Sequence, residues 1–473
     1  MFHESGDYKM DGLLGMRGVK VITAAAIAVL LLAEMGPVPA LADTIEAALV
    51  RAYQNNPQLN AQRAQVRATD EGVPQALSGY RPQVALTASA GYQYTDSRQG
   101  GAPVVGPTAP RSAGLSINQP LFNAQTPQRV RAAESQVSSA REGLRVLEQS
   151  VLLQAATIYM DYLRDAAIVE VQRSNTRVLE QTLKQTQDRF NVGEVTRTDV
   201  AQSEAQLAAG RTQQLTAEAN LTTTKSNYRR IIGSEPVNLA PGSPVDRFLP
   251  STLSAAVDLG LTQNPNVTAA MFGVDVNFLQ TKIAEGALLP TVTLSTQVQQ
   301  VYEQTLLTQR AFNASTAVQL TVPIYQAGNE YALIRQSKET LAQQRLVLEQ
   351  TRDQARANVV TFWGQLQAGK SQVASAQAQV QASEIALNGV REEAKAGQRT
   401  TLDVLNAQQA LVNARNSLVT AQHDRVVASY NVLNAIGRLA PTVLGLPTSV
   451  YDPSVHYHQV RDSWAGVRTP DGR

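Results

Sequence analysis

GEVTRTDV occupies Gly193–Val200 and GQRTTLDV occupies Gly397–Val404. Both read G-x-x-T-x-x-D-V, and they lie 204 residues apart. Other pairs flank them on both sides. Asn55-Asn56-Pro57 recurs as Gln263-Asn264-Pro265, and Tyr80-Arg81-Pro82 as Leu288-Leu289-Pro290. Gln119-Pro120-Leu121-Phe122 recurs as Val322-Pro323-Ile324-Tyr325, and Ile232-Gly233 as Ile436-Gly437. The separation is 208 early, 203 at the second prolines and 204 from there on. This spacing is a duplication rather than a short solenoid period. It predicts two tandem structural repeats, 43–250 and 251–440.

Each repeat has the same order: a helical segment (about 44–79 and 252–288), a short alternating region, a very long helical segment, the G-x-x-T-x-x-D-V break, and a further helix. No proline falls between Pro127 and Pro236 or between Pro323 and Pro441. Val130, Val137, Leu144, Val151 and Ile158 recur every seven residues, as do Ile334, Leu341, Leu348, Ala355 and Phe362. A sustained heptad points to coiled-coil packing. The long helices are expected at about 124–190 and 326–395, each roughly 100 Å at 1.5 Å per residue. The alternative is several shorter helices kinked at Gly364 and Gly369.

The alternating regions predict hairpins at about 84–119 and 291–322, with loops at 96–111 and 303–312. In Val84–Thr95, Val84, Leu86, Ala88, Ala90, Tyr92 and Tyr94 share one face; Ala85, Thr87, Ser89, Gly91, Gln93 and Thr95 share the other. Val292, Leu294 and Val298 similarly oppose Thr293, Ser295, Gln297 and Gln299. Strands of about ten residues match a tilted transmembrane strand, and apolar-out, polar-in alternation is the outer-membrane barrel pattern. A half-buried soluble hairpin has the same alternation. Four strands cannot close a barrel, and an open edge in lipid leaves backbone groups unpaired. A membrane reading therefore requires several chains to share one barrel.

The N-terminus supports export. MRGVK (Met16–Lys20) carries positive charge, Val21–Ala33 is an apolar run, and Ala40-Leu41-Ala42 forms an A-x-A cleavage site. Residues 1–42 read as a signal peptide, with a doubtful extension before Met16, and the mature chain is expected to start at Asp43. Thirteen apolar residues are too few to span a bilayer as an anchor. No later run suggests a transmembrane helix, so contact with a membrane core must be made as a β-barrel. The 473 residues include no cysteine, which excludes disulfides and a lipidated cysteine. Net charge is +2 with mixed signs, and no nucleic-acid partner is expected. Four histidines and no recognisable nucleophile or metal cluster argue against an enzyme. No catalytic residue, cofactor or metal is assigned.

These features together resemble the TolC-type outer-membrane efflux family over about residues 43–440. The paired repeat, Asn55–Pro57, Q-P-L-F and V-P-I-Y, Phe190–Val200 and Ala396–Arg415 carry the resemblance. It implies a mixed α and β fold. A long antiparallel α-helical coiled-coil barrel would continue into a 12-stranded transmembrane β-barrel shared by three chains. It implies a homotrimer in the outer-membrane lipid of a Gram-negative bacterium, spanning into the periplasm. The partners would be a periplasmic membrane-fusion adaptor and an inner-membrane ABC or proton-driven transporter. Such a channel-tunnel passively conducts drugs, toxic small molecules or secreted proteins, as in type I secretion, and performs no chemistry. A periplasmic coiled-coil adaptor or scaffold is the alternative. It would carry one helical hairpin between β-rich domains rather than two full repeats.

Under this resemblance each G-x-x-T-x-x-D-V is a turn at the periplasmic tip, spanning 193–199 and 397–403. Gly193 and Gly397 suit the position just past a helix end. Thr196 with Asp199, and Thr400 with Asp403, suit capping boxes. The family's entrance is narrowed by carboxylate rings, and Asp403 matches that position. Three copies would favour cations and hold polyvalent cations as blockers; a plain helix cap explains the residue as well. Asn406 replaces a second aspartate, which implies milder selectivity. Arg399 matches a basic residue that ties the closed tip, with Thr198 and Asp199 on the partner side, or it is a solvated turn residue. The family's tyrosine before the glycine is Ala394 here, so one closing hydrogen bond is missing. Tyr92, Tyr94, Phe122, Tyr302 and Tyr325 suit either an interfacial girdle or packing at the barrel–helix junction. Residues 441–473 are expected to form a flexible tail outside the tunnel, with His456 and His458 exposed.

Overall fold

The computed structural model describes residues 43–99, 101–470 and 472; the signal segment 1–42 lies outside the described residues. The chain enters through α1 (Ile45–Asn55), α2 (Pro57–Asp70), α3 (Gly72–Leu77) and a 3₁₀ turn at Ser78–Tyr80. Strands β1 (Gln83–Ala90), β2 (Gln93–Gln99), β3 (Ala102–Thr108) and β4 (Arg111–Asn123) follow, then helices α4 (Gln125–Asn191) and α5 (Arg197–Ile232). The second repeat has α6 (Leu253–Gln263), α7 (Pro265–Gly286), β5 (Thr291–Thr305), β6 (Thr308–Thr321), α8 (Asn329–Lys395) and α9 (Thr401–Ala435). Short helices α10 (Pro441–Leu444) and α11 (Ser454–Val460) lie in the tail.

The recurring Asn-Pro marks a helix start. Asn56 caps α2 through hydrogen bonds from Gln58 N and Leu59 N, and Asn264 caps α7 from Asn266 N. Proline at the first helical position loses no hydrogen bond there, and its fixed φ suits the helix. Helices α4 and α8 are each 67 residues long, about 100 Å. Both are unbroken, and α8 runs through Gly364 and Gly369. The seven-residue pattern in α4 continues past Ile158 through Asp165, Gln172, Leu179 and Thr186, all buried. Nearer the sheet, α4 packs on α2, α3 and α7; toward its far end it packs on α5 and α9. The main core lies between these regions, where Tyr53, Leu152, Tyr159, Tyr228, Leu366, Leu433 and Ile436 are almost fully buried.

Four strands form one antiparallel sheet in the order β1-β4-β5-β6. The register aligns Val84 with Ile117, and Leu86 with Leu115 and then Val298. Leu294 aligns with Val318 and Val292 with Leu320. One face is therefore mostly apolar across all four strands, interrupted by Gln119, Thr296, Gln300 and Thr316. The other carries Thr87, Ser89, Ser112, Ser116, Gln297, Gln299, Ser315 and Asn313, with Ser89 and Ser112 2.8 Å apart. β1 and β6 are the two edges; β1 is exposed throughout, and β6 at every residue but Thr308 and Ala311.

Three expectations are corrected. The first hairpin does not run straight: it breaks at Gly91–Tyr92, and the expected loop at 96–111 is a separate two-stranded sheet, β2–β3. The second hairpin has no ten-residue loop at 303–312. β5 and β6 run 15 and 14 residues and pair out to Thr305 and Thr308, with an irregularity where Glu303 takes φ +49°. Val301, Tyr302, Thr305, Thr308 and Phe312, β-branched or aromatic, support the longer pairing.

Residues 441–470 do not run free of the rest but form a strap packed along the first repeat. Thr448 accepts from Gln54, and Tyr451 N donates to Tyr53 Oη at 3.2 Å. Arg63 stacks over Tyr451. His456 is not an exposed tail residue: its Nδ1 lies 3.0 Å from the fully buried Asp70 carboxylate. Burial pushes the Asp70 pKa up despite His456 and Arg141 beside it. Aromatic and arginine side chains spaced along the strap supply enough contact to dock a segment that composition marks as loop.

Candidate functional site: the helical tip

Both G-x-x-T-x-x-D-V segments lie at the ends of α4 and α8 distant from the sheet, and the structure brings them to the same end of the molecule. Leu179 of α4, Leu207 of α5 and Leu405 of α9 form a separate small cluster there. Gln206 donates to Gln409 at 3.2 Å.

The backbone of the two turns is the same. Gly193 has φ +81° and Gly397 has φ +77°, the left-handed conformation that glycine adopts without steric cost. Gly193 N donates to Phe190 O at 3.0 Å and Glu194 N to Arg189 O at 2.9 Å. In the second turn Gly397 N donates to Ala394 O at 3.1 Å and Gln398 N to Glu393 O at 2.9 Å. This paired pattern is the Schellman closure of a helix C-terminus. Three residues on, Thr196 N donates to Asp199 Oδ2 at 2.9 Å, and Asp199 N returns a bond to Thr196 Oγ1 at 3.4 Å. Thr400 and Asp403 repeat the exchange at 3.0 and 3.2 Å. Each is a reciprocal capping box that satisfies orphan N–H groups at the helix start.

The caps hold both carboxylates ionised. The Thr196 hydroxyl and backbone N–H lower the Asp199 pKa below the usual carboxylate range. The Thr400 backbone N–H and hydroxyl do the same for Asp403, with Arg399 adding to it. A fixed negative charge therefore stands at the start of α9, which the helix dipole also favours. Asn406 is exposed one turn on, and Thr198 is exposed in the first turn.

The expected tie between Arg399 and Thr198–Asp199 is not formed within this chain. Arg399 Nε donates to Glu393 Oε2 of its own hairpin at 2.8 Å. Glu393 lies at the end of α8, within reach of the turn that carries Arg399, so the local pair forms without a second hairpin. The first turn holds the reverse pair, Arg189 Nε to Glu194 Oε2 at 2.9 Å.

Sequence reasoning missed the groups that hold the hairpins together. Gln408, buried in α9, accepts from Arg391 at 3.0 Å and donates to Asn175 of α4 at 3.2 Å. Glu180–Arg211 ties α4 to α5 at 2.8 Å and Glu384–Arg415 ties α8 to α9 at 2.7 Å, each within its own hairpin and offset by the repeat spacing of 204. That spacing was a usable signal for the second pair of ions. Nothing in the sequence marked Gln408 for burial. Among the described residues, no group of three or more His, Asp or Glu could hold a metal ion, and no helix is long and apolar enough to cross a membrane.

The family model for "Outer membrane efflux protein" matches residues 48–234 and 256–438, one segment in each repeat. The outer membrane efflux protein BepC of Brucella suis is 40% identical over 438 residues, which cover 92% of this chain and 94% of that protein. The outer membrane protein TolC of Vibrio cholerae is 28% identical, covering 82% and 90%. Among solved structures, the CmeC outer membrane channel of Campylobacter jejuni superposes with a TM-score of 0.75 at 17% identity, over 88% of this chain and 89% of that one. With both repeats matched and a relative this similar over nearly its whole length, the chain belongs to the outer membrane efflux protein family, of the TolC type, a family of Gram-negative outer-membrane channels.

Proposed function

We propose that this chain is one third of a homotrimeric channel-tunnel. Three four-stranded sheets join edge to edge as a 12-stranded barrel in the outer membrane, and the long helices continue it through the periplasm. One observation carries the proposal: a sheet with one apolar and one polar face, two unpaired exposed edges, and roughly 100 Å helices leaving it. Such edges are stable in lipid only when paired. The apolar face meets lipid and the polar face lines the lumen. Cargo passes down the lumen passively, supplied by an inner-membrane ABC or proton-driven transporter and a periplasmic adaptor that docks on the helices. The cargo class is drugs, toxic small molecules or secreted proteins.

At the tip, Asp403 from three chains forms a ring of fixed negative charge, followed by a neutral ring of Asn406. The ring favours cations and binds divalent cations as blockers. Arg399 and the Thr198–Asp199 turn sit beside it as the groups that hold the entrance narrow.

The test is single-channel conductance of the detergent-purified protein in a planar bilayer. Small, discrete, cation-preferring steps that divalent cations block are expected. Asp403→Ala should weaken the block and lower the cation preference. Block unchanged in Asp403→Ala would leave Asp403 as a helix cap alone. Absence of any conductance in a variant with a loosened tip, such as Arg399→Ser, would overturn the shared barrel.

A further inference from the structure

The strap formed by the tail ends at the junction between helices and sheet. Arg81, two residues before β1, donates to Ser463 O, and its guanidinium lies 4.7 Å from the centre of the Trp464 ring. Lower on the strap, Arg461 sits 3.7 Å from Glu134 of α4. His456 and the cation–π contact of Arg141 with Tyr457 hold α11 against α2 and α4. The strap is thus fastened at several points along its length, which fixes the height of its end.

Yet its end is not buried. Trp464 is 71% exposed and Val467 fully exposed. Tyr80, beside Arg81, is half-exposed. Trp464 and Val467 lie three residues apart on this fastened segment, so their exposed apolar surface is held near the sheet by Arg81.

The location narrows what that surface meets. Gln119 shares the apolar face of the sheet, in register with Leu294 and through it Val318. Its Nε2 donates to Tyr80 O at 2.9 Å. The chain leading into β1 therefore lies on the apolar, lipid side of the sheet. The apolar face ends at this level, with Val84, Phe122, Val292 and Leu320. The strap end combines an indole with Arg81, Arg461 and Arg468 against Asp462 and Asp471, with Arg461 also facing Glu134. An amphipathic ring flanked by cations matches the headgroup layer of a bilayer, where the indole sits among carbonyls and the cations meet phosphates.

We propose that the C-terminal strap is a membrane-interface anchor: Trp464, with Arg81, Arg461 and Arg468, inserts among the phospholipid headgroups of the periplasmic leaflet. This rests on the sheet being the membrane-embedded part. The anchor sets the depth of the barrel from outside it and ties the outer end of the helical region to the bilayer surface. It uses residues beyond the family match, which ends at 438.

The chain has two tryptophans, Trp363 and Trp464. Trp363→Phe leaves Trp464 as the sole indole emitter. The full chain would be placed in nanodiscs of phosphatidylethanolamine and phosphatidylglycerol, with lipids brominated either near the glycerol or near the acyl terminus. Trp464 emission should shift to the blue relative to free indole in water and be quenched more by the shallow bromines. A control in the Trp363→Phe, Trp464→Phe background carries Val318→Trp on the apolar face and should be quenched by the deep bromines. Unquenched, solvent-like Trp464 emission beside a quenched Val318→Trp would overturn the anchor alone. If neither is quenched, the membrane reading of the sheet falls with it. Should Trp363→Phe fail to fold, Val467→Cys in the otherwise cysteine-free chain carries a nitroxide. Greater collision with oxygen than with an aqueous nickel complex supports the anchor, and the reverse overturns it.

Discussion

The two repeats of this chain agree where the backbone is constrained and diverge where side chains meet different neighbours. α4 and α8 are both 67 residues long and start 204 residues apart. Their tip turns close with the same hydrogen bonds. The ion pair on each turn, however, is reversed in order: Arg189 with Glu194, but Glu393 with Arg399. Gly233 and Gly437 share the same left-handed backbone, yet Gly233 faces open space while Gly437 is pressed against Gln263 O and Asn264 Cα. Glu204 is exposed, and its counterpart Gln408 is buried between Arg391 and Asn175. A duplicated sequence thus keeps its turns, because only certain residues can close them. Its surfaces drift, because one copy now packs against the other.

The largest expected effect contrasts the two glycines. Gly437→Ala should cost the left-handed strain of about 1–2 kcal/mol and, in addition, overpacking of about 1–3 kcal/mol. Gly233→Ala should show the strain alone, about 1–2 kcal/mol. Thermal unfolding of the purified variants measures the difference; equal shifts would mean that the contact at Gly437 relaxes freely. Next comes the buried amide. Gln408→Ala leaves Asn175 without its donor and should destabilise by about 1–3 kcal/mol, whereas Glu204→Ala should change little. Urea midpoints of the two variants make the comparison.

The caps come third and should be alike. Thr196→Ala and Thr400→Ala should each weaken their helix start by about 1 kcal/mol, read as faster amide exchange at Asp199 and Asp403. The smallest effect is on acid stability. Both carboxylates have folded pKa values below the ordinary aspartate value of about 3.9. Their contribution is therefore complete above that pH and is lost as the pH falls through the lower folded values. The melting difference between wild type and the Asp199→Asn, Asp403→Asn double variant should shrink as the pH is lowered from about 6 toward 3. A constant difference would show that the caps do not depend on ionisation.

Much of the tip was legible because its chemistry is local. A glycine beyond a helix end and a threonine three residues before an aspartate state their own hydrogen bonds. The long helices were legible from an absence of proline and a heptad, and the Asn-Pro pairs mark real helix starts. Less could be read of the sheet. Alternation located its strands, but the break at Gly91–Tyr92 and the β2–β3 hairpin depend on pairing between distant segments. The partner that Arg399 takes within its own hairpin, Glu393, was not read in advance, because it is the closed turn that brings the two side chains together. The strap was missed because isolated aromatics and arginines look like loop until their acceptors, Asp70, Tyr53 and Ser463, are seen beside them.

The duplication, the continuous helices and the two tip turns are written in the order of the residues alone. Each rests on φ/ψ preferences and on hydrogen bonds between residues a few positions apart. The burial of Gln408 but not Glu204, the crowding at Gly437 and the path of residues 441–470 along the first repeat come from the packed chain. These depend on packing between segments up to hundreds of residues apart, where burial and the choice of partner are set by the neighbouring helix and not by local preference.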